Sequence, residues 1–386
     1  SFLNAAFFGR DLLPKADTPM TAALTKIVYA PKAKAEVVFY SADDWADIEQ
    51  RANEYPKAYA EAERKLREPP KSDSPFAKVL ATPRARTAEE IDRHVPEAIR
   101  SSRELVEMTR RKGLDVHDYL GKTEVLDVAG GAENLAYALQ EYVGSGGRFT
   151  AITKMSVLHV DDKRLQGLEI IDTPGFNDPV VSRGQITRSF LGQCDVIFLL
   201  SAVSQFLTSS DMAVLREQLP EAGIDEKAVF LVGSQRDLAL RQDRGIAITA
   251  SKLAERAPAE KRSAVRTGAM LQLLDKKMTD QASLTLEAQI NQPGQDNKTR
   301  RILSAVKKSA PRFISSWAWL VAEHFNSLSE EDREQLDQLC TATGFAFEPN
   351  SLRQLSNITA LRDEILSQRE HKQHLIASKE QQLIEG

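Results

Sequence analysis

Cysteine is scarce: Cys194 and Cys340 are the only two in 386 residues, too few for a disulfide framework. No Cys/His spacing resembles a zinc site, and the scarcity favours a reducing, cytoplasmic setting. Long apolar runs are missing as well. Nothing approaches the ~18–20 unbroken apolar residues of a membrane-spanning helix, and Arg10, Asp11 and Lys15 interrupt the early apolar stretch, which argues against a secretory leader. Charge of one sign does not dominate either. With 51 Lys+Arg against 55 Asp+Glu the net charge is −4, which excludes a global polycation, and no nucleic-acid partner is expected. Internal repeats are not evident. What is present is 42% hydrophobic and 27% charged residues, the composition of a chain that buries a real core. At about 150 residues per domain, the length allows two or three domains, or one carrying large insertions. The opening SFLNAAFFGRDLLP has no initiator Met, cap or turn ahead of it, and reads as the inside of a helix whose beginning lies outside the sequence.

Short β-branched or apolar runs predict strands at 26–30, 36–41, 156–160, 168–172, 195–201, 228–233 and 312–315. LEIID, DVIFLL and AVFLV are nearly continuous, as in strands covered on both faces of a parallel sheet. Helix-length segments at 184–193, 211–219 and 317–327 alternate with them, so the expected class is an open, three-layer α/β fold with a mostly parallel sheet. Two segments interrupt the rhythm. Residues 42–150 read as a helical insertion, helical at 42–66 with a kink at Pro56, then a loop at 68–75 and a helix near 88–112. Residues 240–311 read as a basic helical insertion: positions 250–312 hold 13 Lys/Arg against 6 Asp/Glu. That excess suits a solvated helical surface, with an anionic membrane or a partner domain as the alternative. A charged helix at 352–386 closes the chain, with apolar Leu361, Ile365, Leu375, Ile376 and Leu383 too irregular for a coiled coil.

Three strand ends carry the chemistry. LEIIDTPGFND ends a buried strand in Asp172, and Thr173-Pro174-Gly175 turn the chain away. This puts a carboxylate at the edge of the sheet where open α/β folds bind ligands. Asp172 suits a magnesium ion held through water, and the Gly175 N–H a terminal phosphate oxygen. VFLVGSQRDL runs a second buried strand into Ser234, Gln235, Arg236 and Asp237; a carboxylate there can accept the ring N–H and amino group of guanine, a donor pattern adenine lacks. Thr21, in the loop ahead of KIVYA, can complete a metal shell with its hydroxyl. Each feature alone is also what an ordinary polar turn looks like. His371 and His374, at i, i+3 on the tail helix, lack a third ligand and read as a solvated face; Cys194 reads as a small buried residue, and Trp317 and Trp319 as packing, one of them able to cover a base edge.

Taken in order, FLNA, GRDLLP, TPMTA, DTPGFND, CDVIFLLSA and VFLVGSQRDL resemble the GTPase domain of the dynamin superfamily, in particular the bacterial dynamin-like proteins. The resemblance covers about 1–30 and 150–240, with RFISSWAWL at 312–320 similar to the last guanine-side loop. It implies a G domain over 1–386 that hydrolyses GTP to GDP and phosphate, with Mg2+ as cofactor. Thr21 then looks like the switch I threonine, Asp172 to Gly175 like switch II, Asp237 like the guanine-reading aspartate, and Ser315, with Ser316, like the residues beside the base. Ser1 looks like the residue just after, or itself, the magnesium-binding Ser/Thr. Thr21, Asp172 and Gly175 would be catalytic, and Ser1, Thr21 and Asp172 would face the metal. It further implies self-association through G domains and action at membranes, with a link to secretion. Two departures stand out. The G-x-x-x-x-G-K-[ST] phosphate loop is not in the sequence, and without it the chain as given would neither bind nor hydrolyse GTP competently. Gln235 also stands where the family usually has lysine. A degenerate G domain acting as a non-catalytic scaffold is the alternative they support.

Overall fold

A computed structural model describes residues 3–8, 23–67, 87–127, 132–144, 146–173, 181–203 and 227–385, with isolated positions between 208 and 224. It divides into two compact units, Pro14–Thr187 and Ser1–Leu13 with Arg188–Gly386.

The first unit holds a five-stranded sheet of β1 (Leu24–Tyr29), β2 (Lys34–Phe39), β3 (Thr123–Leu126), β4 (Thr153–Val160) and β5 (Glu169–Asp172), in the order β3-β2-β4-β1-β5. Only β1 and β4 run parallel in it; the run LEIID, which reads as a parallel strand, lies antiparallel to β1 with Asp172 opposite Thr25. Its apolar side chains are only half-buried, and its outer residues Glu169 and Asp172 are exposed. A salt bridge of 2.8 Å from Lys26 to Glu169 supports the pairing. β3 was not legible in the sequence, because TEVL is short and alternates exposed with half-buried residues. Helix α1 (Ala42–Arg67) runs through Pro56 without a break. Proline removes one backbone bond, but Tyr55 beside it is anchored outside the helix: its hydroxyl bonds Asp92, and the Arg103 guanidinium lies 4.0 Å over its ring. The single helix expected near 88–112 is two, α2 (Ala88–Asp92) and α3 (Glu97–Arg111). Pro96 causes the interruption, since the residue before a proline is driven out of helical geometry, while Thr87 and Glu90 close a capping box ahead of α2. Helix α4 (Ala132–Val143) completes the described helices of this unit.

The second unit starts with α5 (Val181–Gln193), which straddles the division, and has a three-stranded sheet, β6 (Val196–Ala202), β7 (Ala228–Ser234) and β8 (Arg312–Phe313), all parallel with β7 central. Among the described strands three pairings are parallel and three antiparallel, so the α/β architecture is mixed. Around this sheet lie α6 (Arg236–Gln242), α7 (Arg244–Glu255), α8 (Arg262–Ile290), α9 (Asn297–Lys307), α10 (Ser316–Glu323), α11 (Glu330–Thr343), α12 (Pro349–Ser356) and α13 (Ile358–Glu385). In α8 the buried residues Thr267, Met270, Leu274, Met278, Ala282 and Leu286 recur every three or four positions, which fixes its inward face. The tail helix is packed at its start. Ile358, Leu361 and Ile365 are buried, and Arg362 donates to the carbonyls of Ala5 and Ala6 in a π-helical segment, Asn4–Phe8. The side chains of His371 and His374 lie outside the described residues, and Cys194 is half-buried rather than buried.

Candidate functional site

The site is built on the end of β7. Residues Val229 to Gly233 are buried, and the strand is brought against β8 so closely that a Cβ on Gly233 would meet Phe313 Cδ1 at 2.6 Å. Only glycine fits there. Two backbone bonds lock the strand ends together, Ile314 N–H to Gly233 O at 2.8 Å and Arg236 N–H to Ile314 O at 3.0 Å. Between them Gln235 adopts φ 65°, ψ 39°, a left-handed conformation that a residue with a Cβ seldom takes. The kink leaves the Gln235 side chain exposed and starts α6 with Asp237 in its first turn.

Arg236, between these two, points the other way and is buried. Its Nε and Nη2 donate to Asp275 of α8 at 2.9 and 2.6 Å, and its Nη1 to the carbonyls of Gln354 and Leu355 in α12 at 3.1 and 2.9 Å. No local signal in the sequence announces this clamp, because its partners are 39 and more than 100 residues away.

Asp237 opens into a hollow of about 540 Å³, a size that suits a nucleobase and its sugar. Its walls are Gln235, Asp237 and Arg241 on one side, Ser316 and Trp317 at the start of α10, and Glu331, Glu334, Gln335 and Gln338 of α11. Burial pushes the Asp237 carboxyl up, opposed by a hydrogen bond from Ser315 and by the charge of Arg241. Ser315 is fully buried and caps α10, its hydroxyl accepting from Ala318 N–H at 2.9 Å. The Trp317 indole donates to Asp332 at 3.0 Å and forms part of the wall, whereas Trp319 is core, with Arg362 over its ring at 5.1 Å. A desolvated carboxylate with one hydroxyl donor has acceptor capacity left for the paired N–H donors of a guanine edge.

Asp172 and Thr173 belong to the other unit, at the end of β5. The antiparallel register sets the chain leaving β5 beside the chain entering β1, since Asp172 faces Thr25. Asp172 is open to solvent at the end of its strand. One carboxylate suits magnesium, which binds largely through phosphate oxygens and water; among the described residues no group of three His, Cys, Asp or Glu forms a ready metal cage. Ser1, Thr21, Pro174 and Gly175 lie outside the described residues. The structure thus brings Gln235, Asp237 and Ser316 to one hollow, with Ser315 buried beside Asp237, and adds Arg241 and α11 to its walls and the Arg236–Asp275 clamp behind the loop, which the sequence reading did not single out. Of these Arg241 had a signal, four residues after Asp237 on a helix.

A family model described as "Dynamin family" matches residues 1–232. No curated protein matches the chain. Two solved structures of an oligomerised bacterial dynamin pair, presented as a mechanism for long-range sensing and tethering of membranes, are similar to it. One has a TM-score of 0.41 and 15% identity over 100% of this chain and 42% of its own. The other has a TM-score of 0.39 and 13% identity over 99% of this chain and 50% of its own. The chain spans half or less of the length of either.

Proposed function

The chain belongs to the dynamin family, and from that premise we propose that it is the guanine-nucleotide-binding part of a bacterial dynamin-like GTPase. The family match stops at Val232, so the base side rests on a separate observation: the Asp237 hollow. Its desolvated carboxylate, the Ser315 hydroxyl beside it and the wall of Trp317 and Gln235 support guanine over adenine. Magnesium, when bound, would neutralise phosphate charge and would be held by Asp172 with Thr21 and Ser1. The Gly175 N–H is assigned to the γ-phosphate, and Thr21 and the segment between β5 and α5 to ordering with it. The rate then comes from positioning and charge neutralisation.

Two measurements on the full-length protein test this. Phosphate release from GTP should vanish in Asp172→Ala; an unchanged rate removes Asp172 from the metal. GDP should bind better than ADP, and Asp237→Ala should erase the difference; equal binding by the wild type removes the guanine reading.

A non-catalytic scaffold is the second reading, favoured by Gln235 at the usual lysine position. GDP binding without phosphate release from full-length protein would select it.

Self-association through G domains and peripheral membrane action, with a role in vesicle or secretion processes, are proposed on the family alone. No described helix is long and apolar enough to cross a membrane. The surface offered to an anionic bilayer is α7 with the residue that caps it, where Arg244, Lys252 and Arg256, with Glu255 among them, are exposed together with Ile248 (57% exposed) and Leu253 (42%). Loss of sedimentation with acidic vesicles in Ile248→Asp/Leu253→Asp is the expected result, and unaltered sedimentation discards that surface.

A further inference from the structure

Among the described residues three carboxylates line the base hollow, Asp237, Glu331 and Glu334, against a single cation, Arg241. Arg241 stands four residues after Asp237 on α6, the spacing that sets two side chains on one helix face. Its Nη1 donates to Oε1 of Gln338 on α11 at 2.7 Å, so a long and otherwise free side chain is held at the rim.

We propose that Arg241 is the positioning residue of this hollow: pinned by Gln338, its guanidinium keeps the Asp237 carboxylate in the charged form that accepts both N–H donors of a guanine edge. The inference rests on the guanine-nucleotide reading above and names the residue that sets its selectivity and pH range. A protonated carboxyl would present an O–H to those donors and lose one acceptor.

The balance around Asp237 depends on few groups. Burial raises its carboxyl; the Ser315 hydroxyl, a backbone hydrogen bond and then the Arg241 charge bring it down. From α11, Glu331 and Glu334 share its sign and line the same hollow, while Asp332 is engaged by the Trp317 indole. From α8, Asp275 is taken by Arg236, which α12 meets with backbone carbonyls alone. At the start of α7, Asp243 is paired with Lys277. Among the described residues no second cation lines the hollow to replace Arg241.

The test is a fluorescent-GDP titration of the full-length protein from acidic to neutral pH, with ADP as competitor. Affinity should fall as pH drops through the Asp237 titration, because a carboxylate with a raised pKa loses its charge from that pH downward. Arg241→Gln should weaken GDP about tenfold and move the midpoint of the acid loss to higher pH. Arg241→Lys should restore the midpoint, and Gln338→Ala should fall between. Weaker binding with a wild-type midpoint in Arg241→Gln, or failure of Arg241→Lys to restore it, overturns the inference. Should Arg241→Gln not fold, the Gln338→Ala midpoint decides, and a wild-type value there overturns it. A wild-type protein that does not bind GDP overturns both this inference and the guanine reading, whereas GDP binding with an unmoved midpoint overturns this one alone.

Discussion

Replacing Asp275 by alanine should destabilise the unit that carries the base hollow and weaken GDP binding in the same variant. The Arg236 side chain is 3% exposed and has four hydrogen bonds, two of them to Asp275. Asp275→Ala removes those two and leaves a buried guanidinium with only the Gln354 and Leu355 carbonyls. Breaking a fully buried pair by deleting one partner costs about 3–5 kcal/mol. Asp275 is 41% exposed, so water can enter the vacated space and damp the penalty; about 2–3 kcal/mol is the expected loss. The pair as a whole contributes much less. Burial pulls the Arg236 guanidinium down and pushes the Asp275 carboxyl up, so desolvation outweighs the mutual attraction on both sides. Replacing both, as Arg236→Met with Asp275→Leu, should therefore cost less than Asp275→Ala alone. Urea unfolding followed by hydrogen exchange in α6, α8 and α10 isolates this unit, and a fluorescent-GDP titration reads the hollow. Asp275→Ala within about 0.5 kcal/mol of wild type, or a double replacement as damaging as the single one, would refute the reasoning.

Gly233→Ala should cost about 1–3 kcal/mol through overpacking against Phe313 and weaken GDP by displacing Gln235; a thermal melt at the wild-type temperature contradicts the close approach of β7 and β8. Ser315→Ala removes both the cap of α10 and the hydroxyl on Asp237, so a loss of about 1 kcal/mol should come with an acid limit for GDP binding moved to higher pH, measured by titration across pH. Asp172→Asn should abolish phosphate release from GTP by the full-length protein, and a wild-type rate counts against its place at the metal.

The strands were legible where apolar residues run together: DVIFLL and AVFLVG lie within one or two residues of β6 and β7. Pairing direction was less so. LEIID has the composition of a doubly covered strand, yet its partner runs the opposite way and only its middle is half-buried. Pro56 and Pro96 are the same residue type with opposite outcomes: α1 continues past Pro56 beside the anchored Tyr55, whereas α3 begins only after Pro96. In the site, Asp237, Gln235 and Ser315 could be found from strand ends and a family pattern. Arg236 could not, since its partners come from α8 and α12, and only folding sets them beside the β7 loop.

The carbonyls that receive Arg236 are those of Gln354 and Leu355, and the next residue, Ser356, accepts the backbone N–H of Ser315 at 2.9 Å. Asn357 follows with φ 55° and donates to the Phe313 carbonyl at 3.0 Å. Four successive residues at the root of the tail helix thus serve as ligands for the loops that frame the hollow. A minimal nucleotide-binding fragment therefore has to extend past Asn357, and force arriving along the tail would be felt first at the purine side.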